Sequence, residues 1–240
     1  MKSFFNKLVR VSAKEFYAHL DQALHKQERL FIVTANPETF MIGDRDNSFR
    51  HLLEDEQTTI VADGIGVVKA ANMLSIPVKE RIPGIEIAQQ LLELGNACAA
   101  SIYIFGAKPE VIDAMKQLIE QQFPNLRLTG CRDGYVKDKD RIFDEIAQYQ
   151  PDIVLVALGI PAQEQLIYRH LNRFNKGIFV GVGGSFDVMS GMKKRAPSFF
   201  IRCNLEWLYR IVSEPSRWKR FYQNNVKFIG MVRAMRRGGK

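Results

Sequence analysis

At 240 residues, 46% of them hydrophobic and with a formal net charge of +8, the chain can bury one sizeable core, and it has no repeated or low-complexity tract. No run nears the roughly 18 apolar residues that a membrane span needs, and MKSFFNKLVRVSAKEF at the N-terminus lacks the apolar block and cleavage site of a secretory signal. Cys98, Cys131 and Cys203 are far apart, with no CxxC or Cys/His ligand spacing, and read as reduced cytosolic thiols.

In chain order, short β-branched runs alternate with longer amphipathic stretches. Strands are predicted at Leu30–Thr34, Thr58–Ala62, Ser101–Phe105, Leu126–Thr129, Ile153–Ala157 and Gly177–Val182, and helices near 13–27, 64–74, 84–99, 109–122, 138–149 and 162–173. Alternation with near-continuously apolar strands implies an α/β fold: a Rossmann-like, mostly parallel sheet with helices on both faces. From about Met192 the alternation stops. Residues 198–213 (SFFIRCNLEWLYRIVS) read as one helix, ended by Pro215 or followed by a helix that starts there. Residues 216–237 form another helix, with Trp218, Phe221, Tyr222, Ile229 and Val232 on one face and Lys219, Arg220, Lys227 and Arg237 largely opposite. The chain thus divides into an α/β core over 1–194 and a basic helical appendage over 195–240.

The charge is unevenly spread. Residues 192–240 hold thirteen Lys/Arg against Glu206 and Glu214, whereas the first 191 residues hold twenty-one against twenty-four acids. A mildly acidic body with a strongly basic tail points to an anionic partner: a membrane surface, nucleic acid or a phosphorylated substrate. For the last helix two readings stand side by side, one docking it on the core and one laying it in a lipid headgroup region. A nucleic-acid module would leave the following strand-end loops unexplained.

Five strands run into suggestive loops: TANPE, ADGIG, FGAKPE, LGIPAQE and GVGGSFD. Ligands of open α/β sheets bind beyond the strands' carboxyl ends, and glycine there lets backbone approach a phosphate near a helix N-terminus. Gly106, Gly183 and Gly184 are the candidates, although helix–strand turns need glycine anyway. No GxGxxG or GxxxxGK[ST] occurs, which argues against a standard dinucleotide or P-loop site. Asp63, at the end of its strand, suits a catalytic carboxylate and equally an N-cap of the helix near Gly64. Thr34 and Asn36 carry the same ambiguity, Arg81 would suit a diphosphate, and Gln163 begins a helix. The DxD pairs Asp44–Asp46 and Asp138–Asp140 fall in polar stretches away from strand ends and are read as solvated surface, not as a metal site. His19, His25, His51 and His170 have no second ligand in spacing and are read as surface or helix-face residues.

FIVTANPE, IVADGIGVVKA, RIPGIE, FGAKPEV, Gly134–Tyr135 in RDGYV, LGIPAQE, GVGGSFDVMSGMKKRAP and LEWLYRIVSEPSRWKR occur in this order over about residues 30–225. The ordered set resembles the WecG/TagA/CpsF glycosyltransferases, particularly the branch of wall teichoic acid synthesis. The resemblance implies inverting transfer of N-acetylmannosamine from UDP-ManNAc to undecaprenyl-diphosphate-GlcNAc, with no cofactor and no essential metal. It places the base at Asp63, other site positions at Thr34, Asn36, Arg81 and Gln163, and arginines of a membrane-facing appendage at Arg210, Arg217 and Arg220. None of these positions departs from the pattern. It implies a cytoplasmic protein peripheral to the inner face of the membrane, with an anionic lipid surface and no nucleic acid as partner. Transfer of ManNAc uronic acid or glucose within the family, and self-association into a homo-oligomer, remain open.

Overall fold

The computed structural model describes residues 2–203, 205–213 and 218–237. Strands β1 (Arg29–Ala35), β2 (Thr58–Ala62), β3 (Ser101–Gly106), β4 (Arg127–Arg132), β5 (Ile153–Ala157) and β6 (Gly177–Gly181) form one sheet in the order β2-β1-β6-β5-β3-β4. Every pairing is parallel, so all six carboxyl ends lie on one edge. The expected α/β parallel sheet is present, with β4 starting one residue late and running on to Arg132.

Its apolarity is explained by two covered faces. Phe31, Val33, Phe105, Val156 and Phe179 point into one core, and Ile32, Ile104, Leu155, Ile178 and Val180 into the other. Successive strand side chains point to opposite faces, so both parities must be apolar when both faces are covered. Helices α2 (Ala13–His25), α6 (Gly84–Ala97), α7 (Pro109–Gln122) and α10 (Ser185–Met189) cover the second face. The first is covered by α1 (Lys2–Asn6), α3 (Pro37–Arg45), α4 (Asn47–Glu54), α5 (Ile65–Met73), α8 (Lys139–Tyr149) and α9 (Ala162–His170). A 3-10 turn at Leu171–Arg173 follows α9.

Helices α3 and α4 occupy a stretch for which the sequence suggested no helix. Each is short and started by a side-chain cap: Asn36 Oδ1 accepts from the N–H of Glu38 and Thr39, and Asp46 Oδ1 from Ser48 and Phe49. Caps satisfy the orphan N–H groups of a helix start, and in α4 the buried Phe49, Leu52 and Leu53 fall at helical spacing on one face. Asp46 is therefore a cap, as is Asp138, whose Oδ1 accepts from Arg141 N–H. Asp140 pairs with Arg169 at 2.9 Å and His170 at 2.7 Å. His170 departs from the expected surface histidine: it is buried and lies against the Phe143 ring.

The end of the chain differs from expectation in two ways. Residues 198–213 form two helices, α11 (Ser198–Arg202) and α12 (Glu206–Ser213), because Cys203 N–H closes α11 on the Phe199 carbonyl and Leu205 N–H turns back to Phe200. The last helix, α13 (Trp218–Arg237), does not present Tyr222, Ile229 and Val232 on a common face to the core. Phe228 and Val232 are buried, with Met231 and Met235 packed beside them, while Tyr222, Val226 and Ile229 are exposed. The Phe228 ring lies 5.8 Å from Phe40 and 6.1 Å from Phe5. The α1 and α3 aromatics thus select the 228/231/232/235 stripe, rotated by about a quarter turn around the helix axis from the stripe read in sequence, with Val232 common to both. Among the described residues no helix is long and apolar enough to cross a membrane.

Candidate functional site

The loops beyond β1, β2, β3, β5 and β6 carry the candidate residues along one edge. Between β5 and β3 the chain's connections part: β5 continues to β6 on one side, β3 to β4 on the other. Such a switch point opens a crevice beyond the carboxyl ends of an open α/β sheet.

At the β1/β2 end, three segments converge. Asp63 N–H donates to the Ala35 carbonyl at 2.9 Å, which sets Asp63 beside Asn36. The stretch before α6 returns along β2, with Ile82 N–H on the Ala62 carbonyl at 2.7 Å, and this places Arg81 at the same end. The N-cap position of α5 is Gly64, one residue past Asp63. Asp63 Oδ1 accepts from Gly84 N–H, 3.2 Å away at the start of α6. A Cβ on Gly84 would stand 3.2 Å from Thr34 Oγ1, so a side chain there would crowd Thr34. Thr34 is buried and donates to the Gly181 carbonyl at 3.2 Å. Asn36 spends its carbonyl oxygen on the α3 cap, which leaves its amide nitrogen as the half that can donate to a ligand. Asp63, Asn36 and Arg81 are all half-buried, a setting in which a group is held in place yet reachable.

Toward the middle of the sheet the arrangement is closed. Gln163 and Glu164, in the first turn of α9, are 1% and 0% exposed. Gln163 Oε1 accepts from Gly159 N–H and Gly183 N–H, both at 3.0 Å, and its Nε2 donates to Glu164 Oε1 at 2.7 Å. Gly183 has φ +50°, and Gly184, exposed, starts α10. Gly106, with φ +113°, packs against the Ala157 backbone so closely that no Cβ fits, so its requirement for glycine is explained by the sheet itself. Burial pushes the Glu164 carboxyl up to about 7, since the charged form loses its hydration.

The appendage reaches this edge through ion pairs of opposite sense. Arg81 Nη1 lies 3.4 Å from Glu206 Oε2 of α12, and Arg195 Nη2 lies 3.0 Å from Glu86 Oε1 of α6. The side chains of Arg210 and Arg220, and all of Arg217, lie outside the described residues. Among the described residues no group of three or more His, Cys, Asp or Glu is arranged to hold a metal ion. An open hollow of about 430 Å³ beside Lys137, Lys139 and Arg169 contains none of the candidate residues.

The structure therefore brings Thr34, Asn36, Asp63 and Arg81 together, sets Gly183 and Gly184 at the end of the neighbouring strand β6 and Gln163 one strand further, after β5, with Gly106 beyond them on β3. Sequence reading missed Gly84, whose N–H holds Asp63, and Glu164 and Glu206. The one signal for Glu164 was a charge in the first turn of a helix that follows a fully apolar strand.

The chain matches the Glycosyl transferase WecG/TagA/CpsF family over residues 3–240. It is 40% identical to a protein of Bacillus spizizenii over 85% of this chain and 80% of that one. It is 41% identical to a Bacillus subtilis protein over 79% and 73%, and 36% identical to a Staphylococcus aureus protein over 86% and 78%. Each of the three carries the name N-acetylglucosaminyldiphosphoundecaprenol N-acetyl-beta-D-mannosaminyltransferase.

Proposed function

The chain belongs to the WecG/TagA/CpsF family of glycosyltransferases, and from that premise we propose that it transfers N-acetylmannosamine from UDP-ManNAc to undecaprenyl-diphosphate-GlcNAc in assembly of the teichoic acid linkage unit. The observation that carries this reading is the shared name of relatives 36–41% identical over most of the chain.

The β1/β2 end suits the chemistry. The Asp63 carboxylate takes the proton of the GlcNAc hydroxyl as that oxygen bonds to the anomeric carbon from the face opposite UDP. The anomeric C–O bond to the diphosphate breaks, and UDP leaves with the electron pair. Gly84 N–H fixes the direction of the carboxylate. Arg81 and the N–H of the exposed Gly184, beside the Gly183 turn that Gln163 holds, are the groups for the diphosphate charge, in a mechanism that needs no metal. Arg210, Arg217 and Arg220 add to them when the appendage meets substrate.

The division into a core over 1–194 and an appendage over 195–240 is then one of function, since α13 lends Phe228 and Val232 to the core itself. The acceptor is a membrane lipid, and the protein comes to it from the cytoplasm. Thirteen Lys/Arg over residues 192–240 at about 1 kcal/mol each near an anionic leaflet are ample for peripheral binding. Tyr222, Val226 and Ile229, exposed on α13, are apolar groups that would add interfacial burial.

The test is incubation with a panel of UDP-sugars and a short lipid-diphosphate-GlcNAc analogue, read by product mass. A product heavier by one N-acetylhexosamine from UDP-ManNAc alone is expected. Transfer from UDP-glucose or a UDP-uronic acid instead would move the protein to another branch of the family. Arg217→Ala and Arg220→Ala should keep binding to anionic vesicles and lose turnover even on the water-soluble acceptor.

A further inference from the structure

A glutamine amide has an acceptor end and a donor end of nearly the same shape, so its orientation is set only by what surrounds it. Around Gln163 the two N–H groups of Gly159 and Gly183 require the oxygen, and one acceptor, Glu164 Oε1, requires the nitrogen. The two glycines belong to different loops, one after β5 and one after β6, and the amide is the bridge between them. The pair is seated against β6: a Cβ on Gly181 would lie 2.5 Å from Gln163 Nε2 and 2.8 Å from Glu164 Oε1. Gly181 in turn receives Thr34 Oγ1 at its carbonyl. Glu164 has no exposed surface, and its Oε2 has no hydrogen-bond partner. Burying a carboxyl this way is costly, and an apolar side chain would pack there without that cost. The carboxyl therefore has a use, and the Gln163 amide is the contact in which it is used.

We infer that Glu164 is a positioning residue for the transfer reaction: its carboxyl fixes the orientation of the Gln163 amide, and through it the spacing of the Gly159 and Gly183 loops at the donor end of the sheet. The inference rests on the reading of this edge as the UDP-sugar site. With the carboxyl absent, the buried amide nitrogen loses its acceptor, the amide is held by its two glycine contacts alone, and the bridge between the Gly183 turn and the Gly159 loop loosens.

The experiment compares Glu164→Leu, which removes the acceptor, with Glu164→Gln, which restores one, in the full chain. UDP affinity by calorimetry and KM and kcat for UDP-ManNAc are the readouts. Glu164→Leu should weaken UDP binding and raise the donor KM by about 10- to 100-fold, the scale of a displaced binding group, with the acceptor KM unchanged. Glu164→Gln should bring both back toward the wild-type values. In a Gln163→Ala background, Glu164→Leu should add nothing, because two residues acting as one unit are not additive. In the wild-type protein the Gln163 side-chain amide protons should exchange slowly with solvent, a measurement that does not depend on the Leu variant folding. Unprotected Gln163 amide protons, a Glu164→Gln defect as large as that of Glu164→Leu, or additive effects would each overturn the inference. A wild type that binds UDP alongside a Glu164→Leu protein that binds it equally well overturns the inference alone. A wild type that binds no UDP and transfers no sugar removes the donor-site reading, and the positioning role with it.

Discussion

The carboxyl ends of β1 and β2 and those of β5 and β6 lie on one sheet edge but are built differently. At β1/β2, Asn36, Asp63 and Arg81 are half-buried, and backbone N–H or a partner charge holds them by one end. At β5/β6, Gln163 and Glu164 are buried and spend their polar atoms mainly on each other and on two glycine loops. The first arrangement keeps groups accessible for proton transfer and charge. The second spends two glycine N–H groups on a buried amide, which holds the Gly159 and Gly183 loops at a fixed spacing.

The largest effect that would sharpen this contrast is at the accessible end. Asp63→Asn keeps shape and the Gly84 hydrogen bond but loses basicity, and kcat should fall by about 10²–10⁴ with UDP affinity little changed. Near-normal turnover in a folded Asp63→Asn protein would reduce Asp63 to a brace for α6. Next in size is the docking of α13 beside the β1 and β2 side of the core. Phe228→Ala should cost about 3–5 kcal/mol in urea unfolding, as expected for a buried aromatic, whereas Tyr222→Ala, exposed, should stay within about 0.5 kcal/mol. Equal losses at the two positions would break the assignment of the buried face.

The closed end makes a pH prediction. The folded protein holds the Glu164 proton more tightly than the unfolded chain, since burial raises the carboxyl from 4.5 to about 7. Its penalty is absent below about pH 4.5, grows as pH rises, and is complete above about 7, amounting to about 3 kcal/mol. Glu164→Gln should remove that component, so the wild-type minus variant difference in unfolding free energy should slope downward over this interval. A flat difference would mean the carboxyl is hydrated in solution. The smallest expected effect is that of chelation: with Asp46 and Asp138 capping helices and Asp140 paired to His170, turnover should be unchanged in EDTA. Loss of turnover restored by Mn²⁺ would return the acidic pairs to the site.

Much of the core was legible because its signals are local. The β2, β5 and α7 boundaries match the pattern, since an apolar run between turn residues, or a proline at a helix start, is set by neighbouring residues. The short helices α3 and α4 were missed although their signals are local too: the Asn36 and Asp46 caps and the spacing of Phe49, Leu52 and Leu53. On α13 the pattern offered more than one apolar stripe, and only Phe5 and Phe40, far away in sequence, choose Phe228 and Val232 over Tyr222 and Ile229.

At the site the same division holds. The ordered strand-end motifs determined by themselves the parallel α/β class, the family and the edge on which the candidate residues gather, because apolar runs and turn chemistry are written residue by residue. They also singled out Asp63, Asn36, Arg81 and Gln163 but left cap and ligand roles open. The tertiary structure decided that Asp63 serves α6 through Gly84, that Arg81 meets Glu206 from 125 positions away, and that Gln163 joins the Gly159 and Gly183 loops. Those outcomes depend on which strands lie side by side, and hydrogen bonds between segments distant in sequence exist only once the sheet order is set.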